Sequence, residues 1–124
     1  MNLFTRTVVF LTFGLSASAF AATCGGPVKF DQGDTSKTLS VRVKGYQVCT
    51  YWLWAKKGQQ LQVVLDGARS ASAWLYGKDS HAFEDTEGVT LNHTGKQIVR
   101  IVLPRAQARK GKTEHVEVKF QVTD

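Results

Sequence analysis

The sequence predicts an all-β protein, an antiparallel sandwich or small barrel of about seven or eight short strands. Three observations carry this expectation. Apolar and polar residues alternate with period two in one run after another. Gly-, Asn- and Asp-rich breaks separate those runs. No stretch of ten residues carries a helical period.

Taken in chain order, Val28 to Phe30 reads as a short opening strand. Thr38 to Lys44 sets Leu39, Val41 and Val43 against Ser40, Arg42 and Lys44, the pattern of a half-buried strand. Val48 to Ala55 is aromatic and β-branched, with Trp52 and Trp54 on one face and Tyr51 and Leu53 on the other. Lys56-Lys57-Gly58-Gln59 is a turn, after which Gln60 to Asp66 alternates through Leu61, Val63 and Leu65. Ser72 to Tyr76, Val89 to Leu91 and Ile98 to Leu103 follow. The final run points Val116, Val118, Phe120 and Val122 one way and His115, Glu117, Lys119 and Gln121 the other. Trp52, Trp54 and Trp74 read as core, because large aromatics on strands are usually buried; stacking on sugars is the alternative.

Two connections are longer than a hairpin needs. Gly77 to Gly88 carries His81, Glu84, Asp85 and Glu87, while Pro104 to Thr113 carries four cations and no acid. Long loops on a rigid sheet scaffold are where binding usually resides, and a solvated polar connection is the other reading.

Composition agrees with one soluble globular domain. The 124 residues are 43% hydrophobic and 21% charged, with 16 Lys plus Arg against 10 Asp plus Glu and a formal charge of +6. Two prolines, two cysteines and one methionine exclude a collagen-like chain, a disulfide-dense miniprotein and a cysteine-based zinc cluster.

Residues 1–21 read as a cleaved export signal, which leaves a domain over 22–124. Arg6 supplies the positive region, Val8 to Leu15 the short apolar segment, and Ser16-Ala17-Ser18-Ala19-Phe20-Ala21 the small residues of an A-x-A cleavage site. The apolar segment falls far short of the ~20 residues that a bilayer span needs, so no membrane insertion of the mature protein is expected. Export places Cys24 and Cys49 in an oxidising compartment, which favours a bridge between them. Closing that loop constrains the unfolded chain by roughly 3.5 kcal/mol on the entropy model. A reactive thiol pair, the alternative, lacks a C-x-x-C spacing or a nearby histidine.

Catalytic constellations are mostly absent, so no enzyme, cofactor or metal is expected. His81, His93 and His115 are widely spaced and read as surface residues. There is no G-x-S-x-G elbow, no phosphate-binding glycine loop and no cysteine beside a base. Glu84, Asp85 and Glu87 lack the alternating oxygen ligands and the glycine of a calcium loop, and read as a solvated acidic turn.

Val43-Lys44-Gly45-Tyr46, Thr50-Tyr51 and Ala55-Lys56-Lys57-Gly58-Gln59, followed by Trp74-Leu75-Tyr76-Gly77, Gly95-Lys96 and Arg105-x-x-x-Arg109-Lys110-x-Lys112-Thr113, resemble the periplasmic inhibitors of goose-type lysozyme. The similarity runs in order through nearly the whole mature chain. The A-K-K-G-Q turn is also found in pre-peptidase C-terminal-type sandwiches, whereas the K-G-Y element combined with the arginine loop is far more specific. The resemblance implies an eight-stranded antiparallel β-sandwich in the periplasm that blocks a host muramidase. It implies lysozyme-binding roles for Tyr46, Arg105 and Arg109, with Lys110 beside them. The sequence departs from the family in having Gln47 and Cys49 where relatives carry acids, and Ala106-Gln107-Ala108 between the arginines.

The chemistry fits those roles. A muramidase cleft holds carboxylic acids, and the planar fork of Arg binds a carboxylate bidentately and stays charged when desolvated. Tyr46 and Arg105 have bland readings too, as a packed turn residue and as a partner of Glu114 or Glu84. Two other function classes compete: a polysaccharide-binding sandwich using exposed tryptophans, and a nonspecific polyanion binder. An inhibitor of another lysozyme type is a variant of the first class. Exposed Trp52 and Trp54 favour the polysaccharide reading, and burial of both favours the inhibitor. Export and a single basic loop argue against nucleic acid.

Overall fold

The alternation read from the sequence becomes two sheets packed face to face. The computed structural model describes residues 21–77, 80–83 and 87–124. The expected export signal therefore lies outside the described residues except for Ala21, as do Glu84 and Asp85 of the acidic turn. The strands are β1 (Gly26–Pro27), β2 (Ser36–Lys44), β3 (Cys49–Ala55), β4 (Gln60–Asp66), β5 (Ser72–Tyr76), β6 (His81–Ala82), β7 (Val89–Thr90), β8 (Gly95–Val102) and β9 (Thr113–Thr123), with one short helix, α1 (Arg105–Arg109), before the last. One sheet has the order β1-β3-β8-β5-β6 and the other β2-β9-β4-β7. Between these strands all pairings are antiparallel except β1 with β3. Among the described residues no helix is long and apolar enough to cross a membrane.

The core forms where the inward faces meet. Val41 and Val43 of β2, Leu61 and Val63 of β4, and Val116, Val118 and Phe120 of β9 face Tyr51 and Leu53 of β3 and Val99 and Ile101 of β8, all buried. Tyr51 and Phe120 meet across the two sheets with ring centroids 5.7 Å apart and tilted by 54°. That tilted contact suits the quadrupoles of two aromatic rings. The Tyr51 hydroxyl escapes burial without a partner by donating to the Thr23 carbonyl (3.1 Å) and sharing a bond with the Thr23 hydroxyl (2.9 Å).

The N-terminal segment straps the two sheets together. Thr23 bridges Val41 of β2 in parallel, its N–H bonding the Ser40 carbonyl and its carbonyl accepting from the Arg42 N–H, each at 2.9 Å. Within a few residues the chain has crossed to the other sheet, where β1 pairs with Tyr51 and Trp52. Cys24, between these contacts, is disulfide-bonded to Cys49 at the start of β3. Gly25 must be glycine: its φ is +109°, and a Cβ there would lie 2.9 Å from the Thr50 carbonyl oxygen.

Several boundaries and one burial assignment differ from the sequence reading. The opening strand is Gly26–Pro27, and Val28 follows it with its N–H on the Trp52 carbonyl (2.8 Å) and its side chain in the core. β8 begins at Gly95 rather than Ile98, paired there with Ala55 of β3, and Gln97 points inward with its amide on the carbonyls of His93 (2.9 Å) and Gly95 (3.3 Å). The Gly77 to Gly88 connection contains the short strand β6. The tryptophans are not core. Tyr51 and Leu53 occupy the inner face of β3, so period two turns Trp52 and Trp54 outward, and Trp74 is exposed on β5.

The disulfide closes a loop of 25 residues in sequence separation and joins the strap to the sandwich. Replacing both cysteines by serine is expected to lower unfolding free energy by about 3 kcal/mol, read from a urea titration. An unchanged midpoint would show that the Thr23 and β1 pairings alone hold the strap.

Candidate functional site

The proposed binding residues sit on two chain connections at the same end of the sandwich. β2 ends at Lys44 and β3 starts at Cys49, while β8 ends at Val102 and β9 starts at Thr113. Both connections pass from one sheet to the other, and strand pairing lays them side by side: Lys44 is opposite Thr113, and Cys49 is opposite Ile101. One step beyond the strands, the Gly45 N–H donates to the Lys112 carbonyl at 2.8 Å. The Cα of Gly45 is close enough that a Cβ would touch the Ala108 carbonyl oxygen at 3.7 Å. Tyr46 follows immediately and is 67% exposed, so the tyrosine turn and the arginine segment share one surface.

The tyrosine turn is closed from within. The Gln47 N–H donates to the Lys44 carbonyl (3.0 Å), and the Gln47 side-chain oxygen accepts the Lys44 N–H (3.2 Å). Gln47, where relatives in the resemblance carry an acid, thus has a structural task. Cys49 is likewise committed, to the disulfide.

The basic segment, read from sequence as an irregular connection, contains the single turn of helix α1. Pro104 precedes it in an extended conformation, its carbonyl accepting the N–H groups of Gln107 (3.0 Å) and Ala108 (2.9 Å). Gly111, at φ +70°, ends it. The Gly111 N–H bonds the Ala108 carbonyl (2.9 Å) and the Lys112 N–H bonds the Gln107 carbonyl (3.2 Å), the paired bonds of a Schellman terminus. The signal was in the sequence: a proline just before and a glycine just after a short run. Ala108 is buried in the core and anchors the turn, which accounts for the small residue between the arginines.

The first turn of α1 carries the wrong charge for a helix. Arg105 lies in a first turn that has no acid and no side-chain cap, where the helix dipole disfavours a cation. Arg109, four residues on, repels Arg105 at that spacing but stands in the last turn, where the dipole favours a cation. Both are exposed, as are Lys110 and Lys112. Among the described residues none of these four cations has a carboxylate partner.

Glu114, with Glu84 one of the two internal partners that the bland reading of Arg105 offers, is engaged elsewhere. Its carboxylate accepts the N–H groups of Arg69 (3.0 Å), Ser70 (3.1 Å) and Ala71 (3.2 Å) and the hydroxyl of Ser70. It thereby fastens the β4–β5 connection to the root of the basic segment. Burial pushes this carboxyl upward, but the Ser70 hydroxyl and the three backbone donors outweigh it and hold it below the usual glutamate value. Among the described residues no three His, Cys, Asp or Glu cluster as metal ligands would. His81, His93 and His115 are exposed.

No family model matches the chain. A curated relative, the inhibitor of g-type lysozyme from Escherichia coli (strain K12), is 31% identical over 127 aligned positions, spanning 94% of this chain and 95% of the relative. The crystal structure of the Salmonella Typhimurium periplasmic inhibitor of g-type lysozyme superposes with a TM-score of 0.74 at 29% identity, covering 82% of this chain and all of that one. An Escherichia coli inhibitor mutant gives 0.73 at 29% identity, covering 80% of this chain and 97% of its own. The Aeromonas hydrophila inhibitor shares the fold, with a TM-score of 0.69 at 24% identity over 80% of this chain and 96% of that one.

The Glu114 contacts make a prediction about acid stability. A carboxyl depressed on folding contributes stability that is complete above its unfolded pKa and is lost as pH falls through the lower folded value. Glu114→Ala is expected to cost about 1–2 kcal/mol at neutral pH, measured by denaturant titration. The gap to wild type should close as pH drops below the ordinary glutamate range. A gap independent of pH would assign the loss to packing.

Proposed function

The chain belongs to the family of periplasmic inhibitors of g-type lysozyme, and from that premise we propose that it inhibits a goose-type lysozyme by seating the basic segment in the active-site cleft, with Tyr46 at its flank. The observation that carries this reading is the Gly45–Lys112 hydrogen bond, which puts the tyrosine turn against the arginine segment. Two further features support it. α1 retains Arg105 in a first turn where the helix dipole disfavours a cation, and local rules are broken in this way mainly where a site needs it. The turn is also held rigidly by Ala108 and its Schellman bonds, so little order remains to be gained on binding.

The chemistry follows from the partner. A muramidase works with carboxyl groups flanking the glycosidic bond, in a cleft that excludes water when filled. Two guanidinium groups on one helical turn can each meet a carboxylate through paired N–H···O bonds, and Tyr46 adds a flat ring with a hydroxyl at the rim. Lys110 contributes a steering charge. The relatives are inhibitors rather than enzymes. The protein works in the periplasm, and we propose that residues 1–21 direct it there and are removed. Thr23 is already bonded to Ser40 and Arg42, so a cut after Ala21 leaves the strap intact.

Arg105→Ala and Arg109→Ala are each expected to weaken inhibition of a goose-type lysozyme, measured by clearing of cell-wall suspensions, by roughly 30-fold to a few thousand-fold. Stability should change by less than about 0.5 kcal/mol, because both side chains are exposed. Arg→Lys should restore only part of the binding, since it keeps the charge and loses the fork. Folded alanine variants that inhibit as well as wild type would remove the segment from the interface. Inhibition should also weaken with rising salt, once lysozyme's own salt response is subtracted.

A further inference from the structure

A second surface lies on the outer face of the five-stranded sheet, where Trp52 and Trp54 of β3 turn away from the core. Cross-strand register arranges its side chains in rows: Trp54 beside Lys96, then Trp52 beside Ile98 beside Tyr76, then Arg100 beside Trp74. The aromatic members are all exposed, Trp54 most of all at 73%. Exposed aromatics gathered on one flat face are uncommon on a protein that has no use for them. The rings are also held in place. Lys96 Nζ lies 5.2 Å from the centre of the Trp52 ring, the Arg100 guanidinium stacks 3.7 Å from that of Tyr76, and the Trp74 indole N–H donates to the Ser72 hydroxyl at 3.0 Å. The buried Arg100 Nε has no acceptor among the described residues, so ring stacking rather than hydrogen bonding fixes this guanidinium.

Charge narrows the choice of occupant. None of the five strands of this sheet contains an Asp or Glu. A second copy docked through the same face about a two-fold axis would set Lys96 and Arg100 against their own counterparts, with no carboxylate on these strands to separate them. An aminosugar polymer whose peptide stems carry carboxylates meets both features, its apolar ring faces on the indoles and its stem acids on the two cations. Trp54 and Trp52 stand ~7 Å apart along β3, and Tyr76 lies two strand spacings, ~10 Å, across from Trp52, so the face accommodates several consecutive sugars. We infer that this face binds the carboxylate-bearing aminosugar polymer of the cell wall, independently of the lysozyme contact. The inference uses the periplasmic setting of the family and not the inhibitory mechanism. It would hold the inhibitor on the material a muramidase attacks.

Co-sedimentation with purified wall sacculi tests it, with insoluble chitin as the uncharged counterpart. Wild-type protein is expected in the sacculus pellet and mostly in the chitin supernatant. Trp54→Ala should reduce sacculus binding roughly tenfold. Lys96→Glu should reduce it at least as much while leaving lysozyme inhibition intact. Both side chains are exposed, and circular dichroism with the inhibition assay verifies folding. Arg105→Ala, which removes the lysozyme contact, should sediment like wild type, so the two surfaces fail separately. Wild-type protein remaining in the supernatant, equal binding to chitin, or unaltered sedimentation of both face variants would overturn the assignment. So would a concentration-dependent dimer abolished by Trp54→Ala, because the face would then be a self-interface.

Discussion

The register between β2 and β9 is the constraint on which the rest of the structure depends. Nine residue pairs, from Ser36 opposite Gln121 to Lys44 opposite Thr113, lock the two strands. β9 is held on its other side by β4 through seven pairs, from Gln60 opposite Thr123 to Asp66 opposite Glu117. A slip of one residue would turn Val116, Val118 and Phe120 to solvent and put Glu117 and Lys119 in the core, which the hydrophobic term forbids. Because that register is fixed, Gly45 must arrive opposite Lys112. The meeting of the tyrosine turn with the basic segment is therefore a consequence of core packing, written into residues far from the site.

The same end of the sandwich keeps its positive charge because its nearest acid is spent elsewhere. Glu114 stands two residues beyond Lys112, close enough in sequence to neutralise the segment, yet its oxygens are filled by the Ser70 hydroxyl and the N–H groups of Arg69, Ser70 and Ala71. A carboxylate satisfied by backbone donors gains little from turning to an arginine and would leave those donors unpaired. The arrangement secures two things with one side chain. It closes the β4–β5 connection, and it leaves the guanidinium groups without an internal partner among the described residues.

How much of this was legible in the sequence depends on how far apart the deciding residues lie. β4 and β5 were readable to both ends, since alternation and turn residues are local. β1 and β6, with two residues each, have no period to read. The inward Gln97 broke the alternation that would have announced the start of β8. Burial on β3 could not be read because both of its faces are apolar. Alternation separates Tyr51 and Leu53 from Trp52 and Trp54 without saying which pair is inside; the ring contact with Phe120, 69 residues on from Tyr51, decides it. The residues of the candidate site were named through the family resemblance. Their adjacency was not, because Gly45 meets Lys112 only through a pairing between distant strands.

The two cationic surfaces differ in what their charges are already doing, and that difference separates their chemistry. On the sheet face Lys96 and Arg100 are engaged with aromatic rings, so each cation is spread over a π-face and presented broadly. Such cations suit a ligand whose acids are scattered along a chain and whose apolar faces supply most of the contact. At the end of the sandwich Arg105 and Arg109 have neither ring nor acid among the described residues, and they stand on a short turn clamped by Ala108 and Gly111. Unengaged planar forks on a rigid support suit a few carboxylates at fixed positions in a cleft. Exposed Trp52 and Trp54, taken alone, pointed to a glycan binder, and family membership points to a lysozyme inhibitor. The two readings are compatible in kind, because the tryptophans stand on the strands of one sheet face and the arginines on the connection between β8 and β9.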